Sequence, residues 1–161
     1  MEIRIRDTGN VVTDSEFRAM FPNTGFPAQL TADIISDFGG DVVLEGPQAT
    51  TTPPYEFSYR NGVEQIDGKW YTKYSVGPVF TDNEQGTAAE QEAAYKAQKD
   101  AEQAKSLRQQ RNTKLSECDW TQLGDSPVDK AAWATYRQEL RDLTKQSGFP
   151  WNVTWPTAPG A

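Results

Sequence analysis

Between Thr87 and Leu123 the chain runs for 37 residues without a glycine or a proline, and few other features restrict a fold so tightly. The stretch is dominated by Ala, Glu, Gln, Lys and Arg, residues that lose little conformational freedom in a helix. Thr87 followed three positions later by Glu90 is a capping box, so a long polar helix over 87–117 is predicted to begin there. Its apolar side is thin. Ala94, Ala97, Ala101 and Ala104 recur at three- and four-residue spacing, a heptad-like seam of small residues. Two readings stay open: a solvated helix or spacer, and a helix that associates with copies of itself along that seam.

Such a helix buries little, and the rest of the chain has little to spare. Hydrophobic residues are 36% of the 161, against about 45–50% in an ordinary globular domain. With a mean hydropathy of −0.74 and no apolar run near the roughly 20 residues of a membrane span, a soluble protein is expected, with no membrane partner. The charged start "MEIRIRD" does not read as a signal peptide. The net charge of −7 is uneven: residues 1–50 carry eight acids and three bases, residues 88–161 ten of each. A nucleic-acid partner would call for clustered Lys and Arg on one face, and neither half has them.

The first fifty residues read as a small α/β unit. "MEIRIR" alternates as a half-buried strand, and "NVVTDSEFRAM" offers Asp14 or Ser15 as N-cap of a short helix. After the loop "FPNTGFP", Thr31 is the N-cap of a second short helix that Gly39 or Gly40 stops, and "DVVLEG" is a strand. The expected core is Ile3, Ile5, Phe17, Ile34, Ile35, Val43 and Leu44. Residues 51–86 change character, with aromatic and β-branched residues and the turn dipeptides Asn61–Gly62 and Asp67–Gly68. They predict a two- or three-stranded antiparallel meander packed on the first unit. Tyr55, Phe57 and Tyr59 would share one face, and Trp70, Thr72 and Tyr74 a face of the later strand.

Residues 118–161 read as a second helical element and an arm. Ser126 is the expected N-cap, with Pro127 and Asp129 in the opening turns; Val128, Ala132, Tyr136, Leu140 and Leu143 mark one face, with Trp133 beside it. Gly148, Phe149 and Pro150 would end the helix. With Leu107, Leu115 and Trp120 this makes a helical hairpin that turns at "CDWTQLGDSP". "FPWNVTWPTAPGA" then reads as an extended arm carrying Trp151 and Trp155. The fold class is therefore α+β: α/β unit, β-hairpin, long polar helix, helical hairpin and arm.

No constellation of catalytic residues accompanies this architecture. The chain contains no histidine, which removes Ser-His-Asp and Cys-His nucleophile pairs and histidine metal sites. Its single cysteine, Cys118, can form neither an internal disulfide nor a cysteine-rich zinc site, and reads as a small buried residue at a corner. "TDNEQG" at 81–86 lacks the spacing of a calcium loop, and no phosphate loop is present. Carboxylates could in principle run glycoside hydrolysis, but these lie among polar neighbours, so a glycan hydrolase is the least favoured alternative. No cofactor is implied.

"RNTKLSECDWTQLGDSPVDKAAWATYRQELRDLTKQSGFPWNVTWP" closely resembles the C-terminal domain of bacteriophage tail assembly chaperone proteins. The resemblance rests on Arg111 and Leu115, on Cys118 to Leu123 with Asp125 and Pro127, on Ala132, Trp133, Tyr136, Arg137, Leu140, Arg141 and Asp142, and on Gly148, Phe149, Pro150, Trp155 and Pro156. The first half of the chain, including "GVEQIDGKWYTKY", is similar to the N-terminal part of small proteins of marine and cyanobacterial phages. The resemblance implies a non-enzymatic protein of tail or tail-fibre assembly, in the virion tail or in the host cytoplasm during assembly, with a tail or fibre protein as partner. A permanent subunit of tail, fibre or baseplate is the alternative, and self-association, into a trimer for instance, would satisfy both the alanine seam and the aromatic hairpin. Tyr55, Phe57, Tyr59, Trp70, Tyr74, Trp151 and Trp155 are the candidate partner-binding residues. Cys118, Trp120, Trp133 and Tyr136 form the corner, whose tryptophans either pack a core or face a partner, with Asp119 or Asp125 available to cap backbone amides.

Overall fold

Alternating apolar residues at the N-terminus do form a strand, and it becomes the second of five in one sheet. The structure is a computed structural model describing residues 1–160. The fold is α+β and divides into two compact units, Met1–Val79 and Phe80–Ala161.

In the first unit, β1 (Glu2–Ile5), β2 (Val11–Thr13), α1 (Asp14–Ala19), α2 (Ala32–Asp37), β3 (Gly40–Leu44), β4 (Phe57–Ile66) and β5 (Lys69–Gly77) follow in order. The sheet order is β2-β1-β3-β5-β4. All neighbours are antiparallel except β3 and β5, which run parallel through Val43–Trp70 and Leu44–Tyr71. The hairpin is thus joined edge to edge with the α/β segment rather than laid over it. Ile3, Phe17, Leu30 and Ile35 make the core. Phe21, Phe26 and Phe38 extend it as a ring cluster with centroids 4.9–6.1 Å apart. Arg18 holds the intervening loop, donating to the carbonyls of Pro27 and Ala28 at 2.9 and 3.1 Å.

Several expectations need correction. Thr13, not Asp14 or Ser15, caps α1, in a capping box with Glu16; Val11–Thr13 had already been drawn into a strand beside β1. Leu44 is 40% exposed and lies outside the core. Asn61–Gly62 is no hairpin turn: it lies inside β4, where the register with β5 shifts between Arg60 and Val63 and Gly62 takes φ +82°. The turn is Asp67–Gly68, both at positive φ, so the hairpin has two strands.

In the second unit, α3 (Ala88–Glu117) opens with the Thr87–Glu90 capping box as the sequence predicts. "TDNEQG" serves this helix start. Asp82 accepts from the Ala88 amide at 2.7 Å, and Gln91 donates to the carbonyls of Thr81 and Gly86 at 2.7 and 2.9 Å. A 3₁₀ turn over Asp119–Gln122 follows, then α4 (Lys130–Asp142) and a second 3₁₀ turn over Leu143–Lys145. Asp129 caps α4 by accepting from the amides of Ala131 and Ala132, whereas Ser126 Oγ is buried without a partner among the described residues. The helix stops at Asp142, several residues before Gly148. That glycine is needed for another reason, since a Cβ there would lie 2.0 Å from the Asn152 carbonyl oxygen. Cys118, Tyr136 and Leu140 form the core, flanked by Leu115, Trp133, Trp155 and Ala158.

Candidate functional site

The corner of the second unit is assembled around one buried cation. Arg137, on the inner face of α4 beside Tyr136 and Leu140, donates to the Leu115 carbonyl at 2.7 Å, the Cys118 sulfur at 3.1 Å and the Asp119 carboxylate at 2.6 Å. One guanidinium therefore ties the last turn of α3 and the start of the 3₁₀ turn to α4. Burial opposes its charge, but hydrogen bonds to Asp119 and Cys118 outweigh that and hold Arg137 above its ordinary pKa. Asp119 thus serves as an ion-pair partner rather than a backbone cap. Tyr136 is raised above its ordinary value chiefly by burial.

Outward from this lock runs an aromatic series. Tyr136 meets Trp133 edge to face at 5.6 Å, and Trp133 meets Trp120 at 6.4 Å. The series ends in solvent, because Trp120 is 49% exposed and so does not fill a core. Trp133 is half-buried and Cys118 is buried. Leu123, which the sequence singled out only within the family resemblance, is 58% exposed.

The arm is drawn back onto its own unit. Gln146 clamps it, donating to the Thr154 carbonyl and accepting from the Thr154 amide, both at 2.8 Å. Trp155 packs at the edge of the core with Lys114 5.6 Å from its ring. Trp151, 39% exposed, donates to Asp100 on α3 at 2.5 Å, and Arg108 lies 5.4 Å from the Phe149 ring. Along α3, Ala94, Ala97 and Ala101 are exposed while Ala104 is buried with Leu107, so the seam is covered only at its last position.

In the first unit the hairpin aromatics divide. Phe57 is 49% exposed with Tyr59 beside it at 6.2 Å, and Tyr55 is half-buried in the turn before β4. Trp70 and Tyr74 are engaged on the opposite sheet face. Arg4 stacks over Trp70 at 4.0 Å, and the Tyr74 hydroxyl donates to Glu45 at 2.6 Å. Nearby Arg60 grips both oxygens of Glu2 at 2.6 and 2.5 Å; that hydrogen bond holds Glu2 below the usual carboxylate range. Sequence reasoning missed Arg4, Arg60 and the locking role of Arg137. Alternation on β1 could have placed Glu2 and Arg4 together, but nothing local announces partners 58 and 18 residues away.

No group of three or more acidic or cysteine side chains placed to hold a metal occurs among the described residues, and no helix among them is long and apolar enough to cross a membrane. The second unit is a helical hairpin locked by a buried arginine, with an aromatic corner and a folded-back arm. Residues 104–160 match the family model for the phage tail assembly chaperone protein. That segment holds the end of α3, the corner, α4 and the arm, about a third of the chain, and over it the resemblance read from the sequence is borne out. No curated protein and no solved structure matches the chain.

Proposed function

We propose that this chain acts in bacteriophage tail assembly by binding a tail or tail-fibre protein, without catalysing a reaction. The match of residues 104–160 to the tail assembly chaperone family carries the reading. Surface aromatics support the binding step: Phe57, 49% exposed beside the half-buried Tyr59 on the hairpin of one unit, and Trp151, 39% exposed on the other, are of the residue types found at interaction hot spots. Trp70, Tyr74 and Trp155 are half-buried against partners within their own units, whereas Trp151 stays exposed despite its bond to Asp100, so those three shape the surfaces rather than lead them. The protein works in the host cytoplasm during assembly or in the virion tail.

Disrupting the reading frame in the phage that encodes the chain should leave lysates with few or no complete tails by electron microscopy, restored by supplying the chain in trans. Normal tails in its absence would overturn the reading. A second reading, a permanent and self-associated virion subunit, draws on the exposed Ala94, Ala97 and Ala101. Mass spectrometry of purified particles separates the two. A stoichiometric copy number, in threes or sixes, favours the subunit; absence from particles with abundance in infected cells favours the departing chaperone.

A further inference from the structure

We propose that the corner between α3 and α4 is a docking surface for a basic, apolar segment of the partner protein, a proposal that rests on the assembly reading above. The apolar part is Trp120, Leu123 and Trp133. The Leu123 amide donates to the Trp120 carbonyl at 3.2 Å. This is a 3₁₀ bond, and residues three apart in such a turn eclipse one another, so the two side chains project to the same side. The Trp120 ring rests against Trp133 at 6.4 Å, whose inner edge meets the buried Tyr136. The patch is therefore backed by the unit's own core and presented rigidly, as an anchor site requires. Trp120 at 49% and Leu123 at 58% exposure remain in water although buried apolar space lies one ring away.

The rim fixes the chemistry of the occupant. From Glu117 to Asp129 the chain carries Glu117, Asp119, Asp125 and Asp129 and no Lys or Arg. All four acids are exposed, and neither Glu117 nor Asp125 makes an ion pair among the described residues. The flanking Lys130 turns back on the Gly124 carbonyl at 2.7 Å. Asp119 is paired with Arg137 and Asp129 caps α4, which leaves Glu117 and Asp125 as uncompensated carboxylates on this acidic segment. An apolar centre beside them complements one or two large apolar side chains flanked by Lys or Arg. It repels phosphate-bearing surfaces, nucleic acid and anionic lipid alike.

The test is to titrate the full ¹⁵N-labelled chain with the peptide Lys-Leu-Lys-Phe-Lys-Leu-Lys and with its analogue in which every Lys is Glu. The lysine peptide should shift the amides of Trp120 to Gly124 and the Trp133 indole, and the glutamate analogue should not. Raising salt from about 50 to about 500 mM should weaken the binding at least tenfold. Trp120→Ser with Leu123→Ser should lower affinity by at least about tenfold, and Glu117→Lys with Asp125→Lys by at least about threefold, each leaving the α4 resonances in place. Shifts confined to other residues, equal binding of the two peptides, or variants that bind like wild type would overturn the proposal. So would sedimentation showing a dimer that Leu123→Ser dissolves, since a second copy would then occupy the patch. If gene disruption abolishes tails while the peptide does not bind the corner, the assembly reading stands and this surface falls.

Discussion

In the Met1–Val79 unit the interior of Ile3, Phe17, Leu30 and Ile35 is wholly apolar, and the paired charges stay outside it, Glu2–Arg60 exposed and Arg4–Asp41 half-buried. In the Phe80–Ala161 unit a guanidinium sits inside, among Cys118, Tyr136 and Leu140. Apolar burial is non-directional and tolerates repacking, so the first unit takes its geometry from strand register and four phenylalanines. Arg137 is directional. Its three acceptors on the end of α3 and the 3₁₀ turn fix where α4 crosses them.

The difference is open to attack from both sides. Phe17→Ala should have the largest effect, removing a fully buried ring that touches Phe21 and Phe26 and costing about 3–5 kcal/mol; a loss under about 1 kcal/mol in urea denaturation of the first unit would refute the apolar account. Arg137→Met should cost about 1–3 kcal/mol by leaving the Leu115 carbonyl with only the weak Cys118 thiol as donor inside the corner. Arg137→Lys should not restore it, because an ammonium cannot meet three acceptors in a planar fork. Full rescue by lysine would reduce the lock to simple charge. Trp120→Ala, by contrast, should change stability by no more than about 0.5–1 kcal/mol, and Arg60→Met by about 0–1 kcal/mol, less at high salt.

The smallest effect is one of pH. Glu2, held low by Arg60, and Glu90, held low by the Thr87 backbone and hydroxyl, have folded-state pKa values below their unfolded ones. Their stabilising contributions are complete above the ordinary glutamate value of about 4.3 and fade as pH falls through the depressed folded values. At the corner the Arg137–Leu115 contact carries no carboxyl proton, and the one carboxylate in the lock, Asp119, is 65% exposed. Amide exchange should therefore quicken at β1 and the first turn of α3 on acidification from about pH 5 to about pH 3, while the α3–α4 corner changes less. Uniform loosening would erase the contrast.

What could be read in advance follows the range of each interaction. The start of α3 was legible because Thr87 and Glu90 lie one turn apart, and the Tyr136–Leu140–Leu143 face because it repeats at helical spacing. Asp67–Gly68 and Asn61–Gly62 look alike locally; pairing with β5 decided that the first is a turn and the second a bulge. The cap expected at Asp14 or Ser15 falls instead on Thr13, because the three-residue strand held by β1 ends there and the helix starts at once. The corner itself was located from Cys118, Trp120 and Trp133. The exposure of Trp120 and Leu123 was not, because nothing in a tryptophan's neighbours along the chain tells which side of a 3₁₀ turn the solvent takes.

Because α3 is unbroken over 30 residues, it sets an angle as well as a length, about 45 Å at 1.5 Å per residue. Each residue inserted between Tyr95, which meets Phe80 near one end, and Leu107, buried near the other, turns the first about 100° around the axis relative to the second. Seven inserted residues bring it back to within about 20°. The helix is a phase ruler, and insertions along it are graded by their remainder rather than by their size.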